Sequence, residues 1–242
     1  MTIGPDIKEA IVEVGLSYTI IRDSGNISDN YLTAKPNEQV TKPFIREFFL
    51  EAQITYDSSL VAGDIIEFDT TGDRFIVMHL TPTLFENVII RYESVLYKTN
   101  VKVTILRPGE RRNPNSLVLE TYWDIVKQDV DLLLTTPLFG QDLETAEELG
   151  LLGIESHEIW CPDSYGIQLL DRIRITSGVG AGDYWRAEAK RKYRFEACDV
   201  VKVGEDTRAT TTTTSTTTTT TTTTTNTTNT TTSSSTTTTT TA

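Results

Sequence analysis

The sequence predicts a mainly β protein: one or two small β-barrel or sandwich modules, with a short N-terminal helix and a low-complexity threonine tail. Apolar residues fall on alternate positions through most of the chain up to Arg208, the spacing of half-buried strands. Clusters of Asp, Gly, Pro and Asn separate these runs as turns do. From 210 to 242 the chain is threonine with a few serines, Asn226, Asn229 and a closing Ala242, and has no side chain able to bury much apolar area.

The helical pattern comes first. Pro5 suits a first helical turn, Ile7, Ala10, Ile11 and Val14 are spaced to share one buried stripe, and Gly15 stops the run. The period then changes. Tyr18 and Ile20 alternate ahead of the turn "RDSGN", and "REFFLEAQITY" from Arg46 to Tyr56 is rich in aromatic and β-branched residues. "DIIEF" meets "RFIVMHL" across "DTTGD", and the long strand region "NVIIRYESVLYKTNVKVTIL" ends in "RPGERRNPN", Arg107 to Asn115, which reads as a loop. A second strand-rich half follows, with an acidic helix expected in "LETAEELGLLG". The expected organisation is a module over 1–106, a connecting loop over 107–115, a second module over 116–209 and the tail over 210–242.

Two stretches echo each other. "LVAGDIIEFDTTGDRFIVMHLTP" and "LLDRIRITSGVGAGDYWRAEAKRKY" both run through Asp, a strand, a glycine-bearing turn, and Asp with an aromatic leading a second strand. Each is a hairpin, which needs further strands to be stable. Whether the modules are true duplicates stays open at this level.

The chemistry is sparse. His79 lies in an apolar strand and reads as a half-buried, hydrogen-bonded ring. "HEIWC" at His157 puts Cys161 where a zinc protease needs a second histidine, and it lies in strand-like sequence rather than on a helix face. Asp64, Glu67, Asp69 and Asp73 lack calcium-loop spacing and read as solvated turn acids. "SGVGAGD" leads into a strand and lacks the Lys-Ser/Thr ending of a phosphate loop. No catalytic, cofactor or metal residue is assigned, and no enzyme is expected. Cys161 and Cys198 read as buried thiols rather than a disulfide framework.

A net charge of -12 and a pI of about 4.7 argue against phosphate-backbone binding as the main task. The opening residues lack a signal-peptide pattern and no run is long enough to span a membrane, so synthesis in the cytoplasm and no membrane partner are expected. Two basic clusters break the acidic background: Arg107, Arg111 and Arg112, and then Arg186, Lys190, Arg191, Lys192 and Arg194. Of these, Arg107, Arg111, Arg112, Arg186, Lys190, Lys192 and Arg194 are the candidate channel or partner contacts. They read equally well as a solvated face that guards an edge strand.

The order and spacing of "NEQVTKPFIREFFLEAQITYDSSLVAGDIIEF", "DRFIVMHLTPTLFENVIIRYESVLYKTNV", "LGLLGIESHEIWCPDSYGIQLLDRIRI" and "GDYWRAEAKRKYRFEACDVV" resembles the head-closure, or stopper, neck proteins of tailed bacteriophages. The resemblance covers about Asn37 to Glu205, rests on no single motif and leaves the threonine tail outside. It implies a small β-barrel core, loops reaching an axial channel, no enzyme activity and a dodecameric ring of self copies. The partners implied are portal and adaptor proteins, a tail terminator or tail proteins, and packaged double-stranded DNA in non-specific proximity. The location implied is the virion neck, after assembly in the host cytoplasm. An acidic channel wall would let DNA slide, while a few arginines brake it. Arg107 to Asn115 would be the gate or portal contact, with "TTPLFGQ" a second candidate. Two alternatives stay open: a tail terminator or tail-tube completion protein, and a surface recognition module on a glycosylated threonine stalk.

Overall fold

Six antiparallel strands close into a barrel, and then six more close into a second one of the same design. The structure is a computed structural model that describes residues 3–37, 48–112, 117, 119–135, 157–191, 195 and 197–208. After α1 (Ile3–Val14) come β1 (Leu16–Ile21), β2 (Ile27–Pro36), β3 (Phe49–Thr55), β4 (Ile65–Phe68), β5 (Arg74–Phe85) and β6 (Val88–Lys98). The second set is β7 (Val101–Arg112), β8 (Leu119–Thr135), β9 (His157–Pro162), β10 (Arg172–Gly178), β11 (Tyr184–Arg191) and β12 (Cys198–Glu205). Around the first barrel the order is β1-β2-β3-β6-β5-β4, and around the second it is β7-β8-β9-β12-β11-β10. These are one order, with each strand of the first replaced by its counterpart in the second.

The registers agree residue by residue. Ile20 pairs with Ile66 as Ile105 pairs with Ile173, and Ala52 with Ser94 as Ile159 with Val201. Two of the breaks in register recur at equivalent points. The β1–β2 bulge holds Asp29 at φ 64°, and the β7–β8 bulge holds Asp129 at φ 52°. The β5–β6 bulge after Val77 recurs after Ala187 in β11–β12. The echoed hairpins of the sequence are β4–β5 and β10–β11, the same element in each copy. Their turns close alike: Gly72 N donates to Phe68 O (2.7 Å) and Gly182 N to Ile175 O (2.9 Å). The question of duplication is answered in favour of one fold used twice.

One polar clasp is also used twice. Arg22, just past β1, donates through Nε to Asp64 Oδ1 (2.8 Å) and through Nη2 to both Asp64 Oδ2 and Ser59 O. Arg107, at the counterpart position in β7, donates through Nε to Asp171 Oδ1 (3.0 Å) and through Nη2 to Asp171 Oδ2 and Gly166 O. The same aspartates accept from Val61 N (2.9 Å) and Gln168 N (2.8 Å). Each clasp pins the loop that enters β4 or β10 and so fixes the strand that closes the barrel. A bidentate arginine on a buried carboxylate satisfies the acceptor that burial would otherwise strand.

Alternation divides the apolar residues among three cores. Tyr18, Ile20, Leu32, Ile54, Ile66, Val77 and Leu96 fill the first barrel, and Val103, Ile105, Leu132, Ile173, Val201 and Val203 the second. The intervening residues Ile65, Ile76 and Met78 of the first barrel pack on Leu133, Trp160, Cys198 and Val200 of the second. These strands are therefore apolar on both faces. Across the same seam Arg74 bridges Glu67 (2.6 Å) and Asp131 (2.5 Å). Gly63 fits there because a Cβ on it would lie 2.9 Å from Ala197 O.

Several expectations are corrected. In α1 Gly4 and Ile11 are buried and Ile7 is half-buried, whereas Ala10 and Val14 face outward, so the expected stripe narrows to Ile7 and Ile11 against β2, β3 and β6. Gly15 does end the helix, and a Cβ there would lie 2.3 Å from Ile11 O and 2.8 Å from Leu32 O. Arg107 to Arg112 is strand, not loop, and the chain passes between barrels at Thr99 and Asn100 rather than at 107–115. The turn acids are not simply solvated: Asp64 is buried in its clasp, Glu67 pairs with Arg74, Asp69 accepts from Thr19 and Asp73 pairs with Lys98. The expected helix in "LETAEELGLLG", the "TTPLFGQ" loop after Thr135 and the tail lie outside the described residues.

Asp171→Ala should destabilise the protein by about 1–3 kcal/mol, because it removes the bidentate partner of Arg107 and leaves the Gln168 N–H without its acceptor. Asp64→Ala should act in the same direction and Arg174→Ala, at an exposed site, by less than about 0.5 kcal/mol. Denaturant midpoints for the three variants check this.

Candidate functional site

The seven basic residues singled out from sequence do not form one patch. Arg107 is committed to Asp171, whose side chain is 1% exposed. Arg111 and Arg112 are exposed near the end of β7, with Arg112 Nε donating to Leu117 O (3.2 Å). Arg186 pairs with Glu188 (2.9 Å) on β11. Lys190 turns inward to Asp199, 3% exposed, and also donates to Ile167 O. Lys192 and Arg194 lie outside the described residues. The outcome is two basic residues on an arm and two on β11, each of the latter already neutralised by a partner.

The arm is the most distinctive feature of the second barrel. Where the first barrel turns at Arg22 to Asn26, β7 and β8 continue as a two-stranded ribbon, with Arg107 opposite Asp124 and Arg112 opposite Leu119. Among the described residues, no third strand pairs with this stretch, which at strand rise extends about 20 Å. Pro108 is tolerated because its strand has no neighbour on the other edge. Gly109 is needed because Tyr122 lies across it: a Cβ there would sit 2.5 Å from the ring. Leu117, Leu119 and Ile125 on the arm are all more than 60% exposed. The β5–β6 hairpin ends similarly, with Leu84, Phe85 and Val88 exposed about Glu86 and Asn87, which hold φ 47° and 64°. On both hairpin ends these apolar side chains therefore lie at the surface rather than in a core.

At the arm's root a polar cluster escaped the sequence reading. Arg172, 1% exposed, donates through Nε to Asp206 Oδ2 (2.6 Å) and through Nη2 to Arg208 O (2.6 Å), with its guanidinium 4.1 Å from the centre of the Trp123 ring. Arg208 donates to both oxygens of Asp206 and to Leu170 O. Burial works against ionisation of Asp206, but hydrogen bonds from Arg208 and Arg172 outweigh it and hold its pKa far below the usual carboxylate range. Nothing in the spacing of Trp123, Arg172, Asp206 and Arg208 announces the cluster, since only barrel closure brings them together.

The histidine and cysteine candidates do not assemble. His157 packs tilted against Trp185 (4.4 Å between centroids), Glu158 reaches Arg191 and Cys161 sits in the barrel core. Among the described residues no cluster of His, Cys, Asp or Glu could hold a metal ion, and no helix is long and apolar enough to cross a membrane. A concavity of about 620 Å³ lies on the outward face of β2, β3, β6 and β5, bordered by Lys35, Glu51, Gln53, His79, Glu93 and Val95.

No family model and no curated protein matches the chain. Protein SF1141 from Shigella flexneri 2a, whose solution structure is known, aligns over 46% of this chain and 96% of its own, with 13% identity and a TM-score of 0.36.

The Asp206 cluster sets a pH dependence. A carboxylate whose folded pKa is depressed stabilises fully above its unfolded pKa of about 3.9 and loses that stabilisation as pH falls toward the folded value. Asp206→Asn should therefore lower stability at neutral pH, and the gap to the parent should close in acid; a gap independent of pH would refute the assignment. Burial raises the Cys198 thiol to about 12 and that of Cys161 still further. Neither should react with a thiol reagent at neutral pH until the protein unfolds, and reagent uptake followed during denaturation tests this.

Proposed function

We propose that the chain is a structural subunit of a tailed-phage neck, one that joins the portal and adaptor complex to the tail and helps retain packaged DNA. The observation that carries the reading is the β7–β8 arm: a ribbon bearing exposed Leu117, Leu119, Arg111 and Arg112, extended from the second of two barrels joined by a buried seam. Such an arm offers a neighbouring protein both apolar area and cationic donors, while the acidic body discourages adhesion to DNA. The resemblance in segment order supports the same assignment, and the barrels supply the rigid scaffold that ring subunits need. Arg111 and Arg112 are the contacts proposed for the portal side or for DNA, with Arg107 holding the arm's root.

The test shortens the arm without touching the clasp. Replacing Gly109–Tyr122 by an Asn-Gly turn keeps Arg107, Pro108, Trp123 and Asp124 and should leave the barrels folded. Heads carrying this variant should lose DNA and infectivity. Sealed and infectious heads would overturn the assignment, as would microscopy of native particles that placed this chain on an external fibre rather than in a ring between portal and tail.

A further inference from the structure

The interior of the second barrel ends in charge where that of the first ends in hydrocarbon. On β11 Lys190 lies opposite Val201 of β12, and on β12 Asp199 lies opposite Cys161 of β9. Val201 and Cys161 belong to the barrel core, so Lys190 and Asp199 point into the same interior, diagonally across neighbouring strands. In the first barrel the equivalent positions are Leu80, opposite Ser94, and Tyr92, opposite Ile54, and both pack on the core. The position of Asp163, two residues beyond Cys161, is taken there by Tyr56. One copy thus closes the mouth of its barrel without charges, and the other places three charged side chains at the same point. The fold does not demand them, and a buried ion pair commonly stabilises no more than the apolar residues that could replace it.

The three groups stand within reach of one another. The Lys190 amine lies 2.5 Å from Asp199 Oδ2 and 3.5 Å from Asp163 Oδ1, and donates to Ile167 O (3.2 Å). The contact with Oδ2 lacks the direction of a hydrogen bond, which leaves that buried oxygen without a hydrogen-bond partner. Asp199 is buried, and Cys161 and Ile167, which flank the pair, are closed to solvent. We propose that Lys190 and Asp199 condense to an isopeptide bond from Nζ to Cγ, with Asp163 as the proton carrier. One proton of the ammonium passes to the Asp199 carboxylate. The lone pair so freed on Nζ forms the bond to Cγ, Asp163 takes a second proton from the nitrogen and hands it to the Asp199 hydroxyl, and the C–O bond breaks with loss of one water. The third proton stays as the amide N–H, and the step needs no oxidant or reductant.

Burial favours the neutral acid and amine from which the bond forms. It raises the Asp199 pKa against the pull of Lys190, and the neighbouring Asp163 adds to the rise. At Lys190 burial works against the charge, but the two carboxylates outweigh it and keep the amine protonated. The proton must therefore move within the pair before the nitrogen attacks. Holding the amine beside one carboxyl turns a bimolecular encounter into an intramolecular one, and a site closed to water protects the amide once made. The bond ties β11 to β12 beside the 3-10 turn Asp163–Tyr165, a covalent closure for the barrel that carries the arm. It is independent of the neck assignment, since it concerns the interior of the second barrel alone.

Mass spectrometry of the full-length purified chain tests it. The intact mass under denaturing conditions should be one water below the sum of the residues, and a proteolytic digest should hold a product joining the peptide of Lys190 to that of Asp199. Lys190→Arg, which keeps the positive charge but lacks the reactive amine, should restore the lost water and release the two peptides. In protein followed from synthesis, Asp163→Asn, at a half-exposed side chain, should slow bond formation by about a hundredfold. A digest of the parent chain in which the two peptides are separate overturns the bond, with no variant needed. A water lost within a single peptide, as in a succinimide at Asp199, overturns it too, as does a joined product that persists in Lys190→Arg. Asp163→Asn protein that links at the parent rate overturns the role given to Asp163.

Discussion

Each barrel depends on one arginine that reaches back to one aspartate. A closed six-stranded sheet must bring its fourth strand beside its first across a connection whose regular structure is at most the single 3-10 turn Asp163–Tyr165 of the second barrel. Arg22 with Asp64, and Arg107 with Asp171, hold that connection by its carboxylate and by one carbonyl. The clasp leaves the closing strand only one register. Closure in turn leaves no open edge within the cylinder and determines which residues face in and which face out.

From that alternation the rest follows. The inward residues need only be apolar and of suitable size, and they differ freely between the copies: Phe68 and Ile175, Leu60 and Ile167, Val77 and Ala187. The outward residues differ in kind. Where barrel meets barrel they are Ile76, Met78 and Trp160, and where they meet solvent their counterparts are Arg186, Glu188 and Gln53. The same backbone has thus been given an apolar or a polar exterior according to whether another barrel covers it.

Much of this was legible in the sequence, and what escaped had specific causes. The alternation and the echo between the two hairpins are local properties, so the fold class and the repeated element could be read directly. The partners of Asp64 and Asp171 could not, because Arg22 and Arg107 lie 42 and 64 residues away and only the barrel brings them close. "RPGERR" read as a loop since Pro and Gly usually break strands; an unpaired ribbon edge removes the objection to Pro108, and Tyr122 covers Gly109. The helix stripe is narrower than its spacing suggests, since Ile7 and Ile11 are covered by the barrel while Ala10 and Val14 stay exposed. The basic clusters were grouped by proximity in sequence, although Lys190 is drawn inward by Asp199 and Arg107 by Asp171.

The cluster at Asp206 carries a further consequence. Arg208, the last described residue, is held to Asp206 and Leu170, and its carbonyl is held by Arg172 beneath Trp123. Trp123 belongs to β8, so the strand that runs out into the arm is tied at its root to the residues that follow β12.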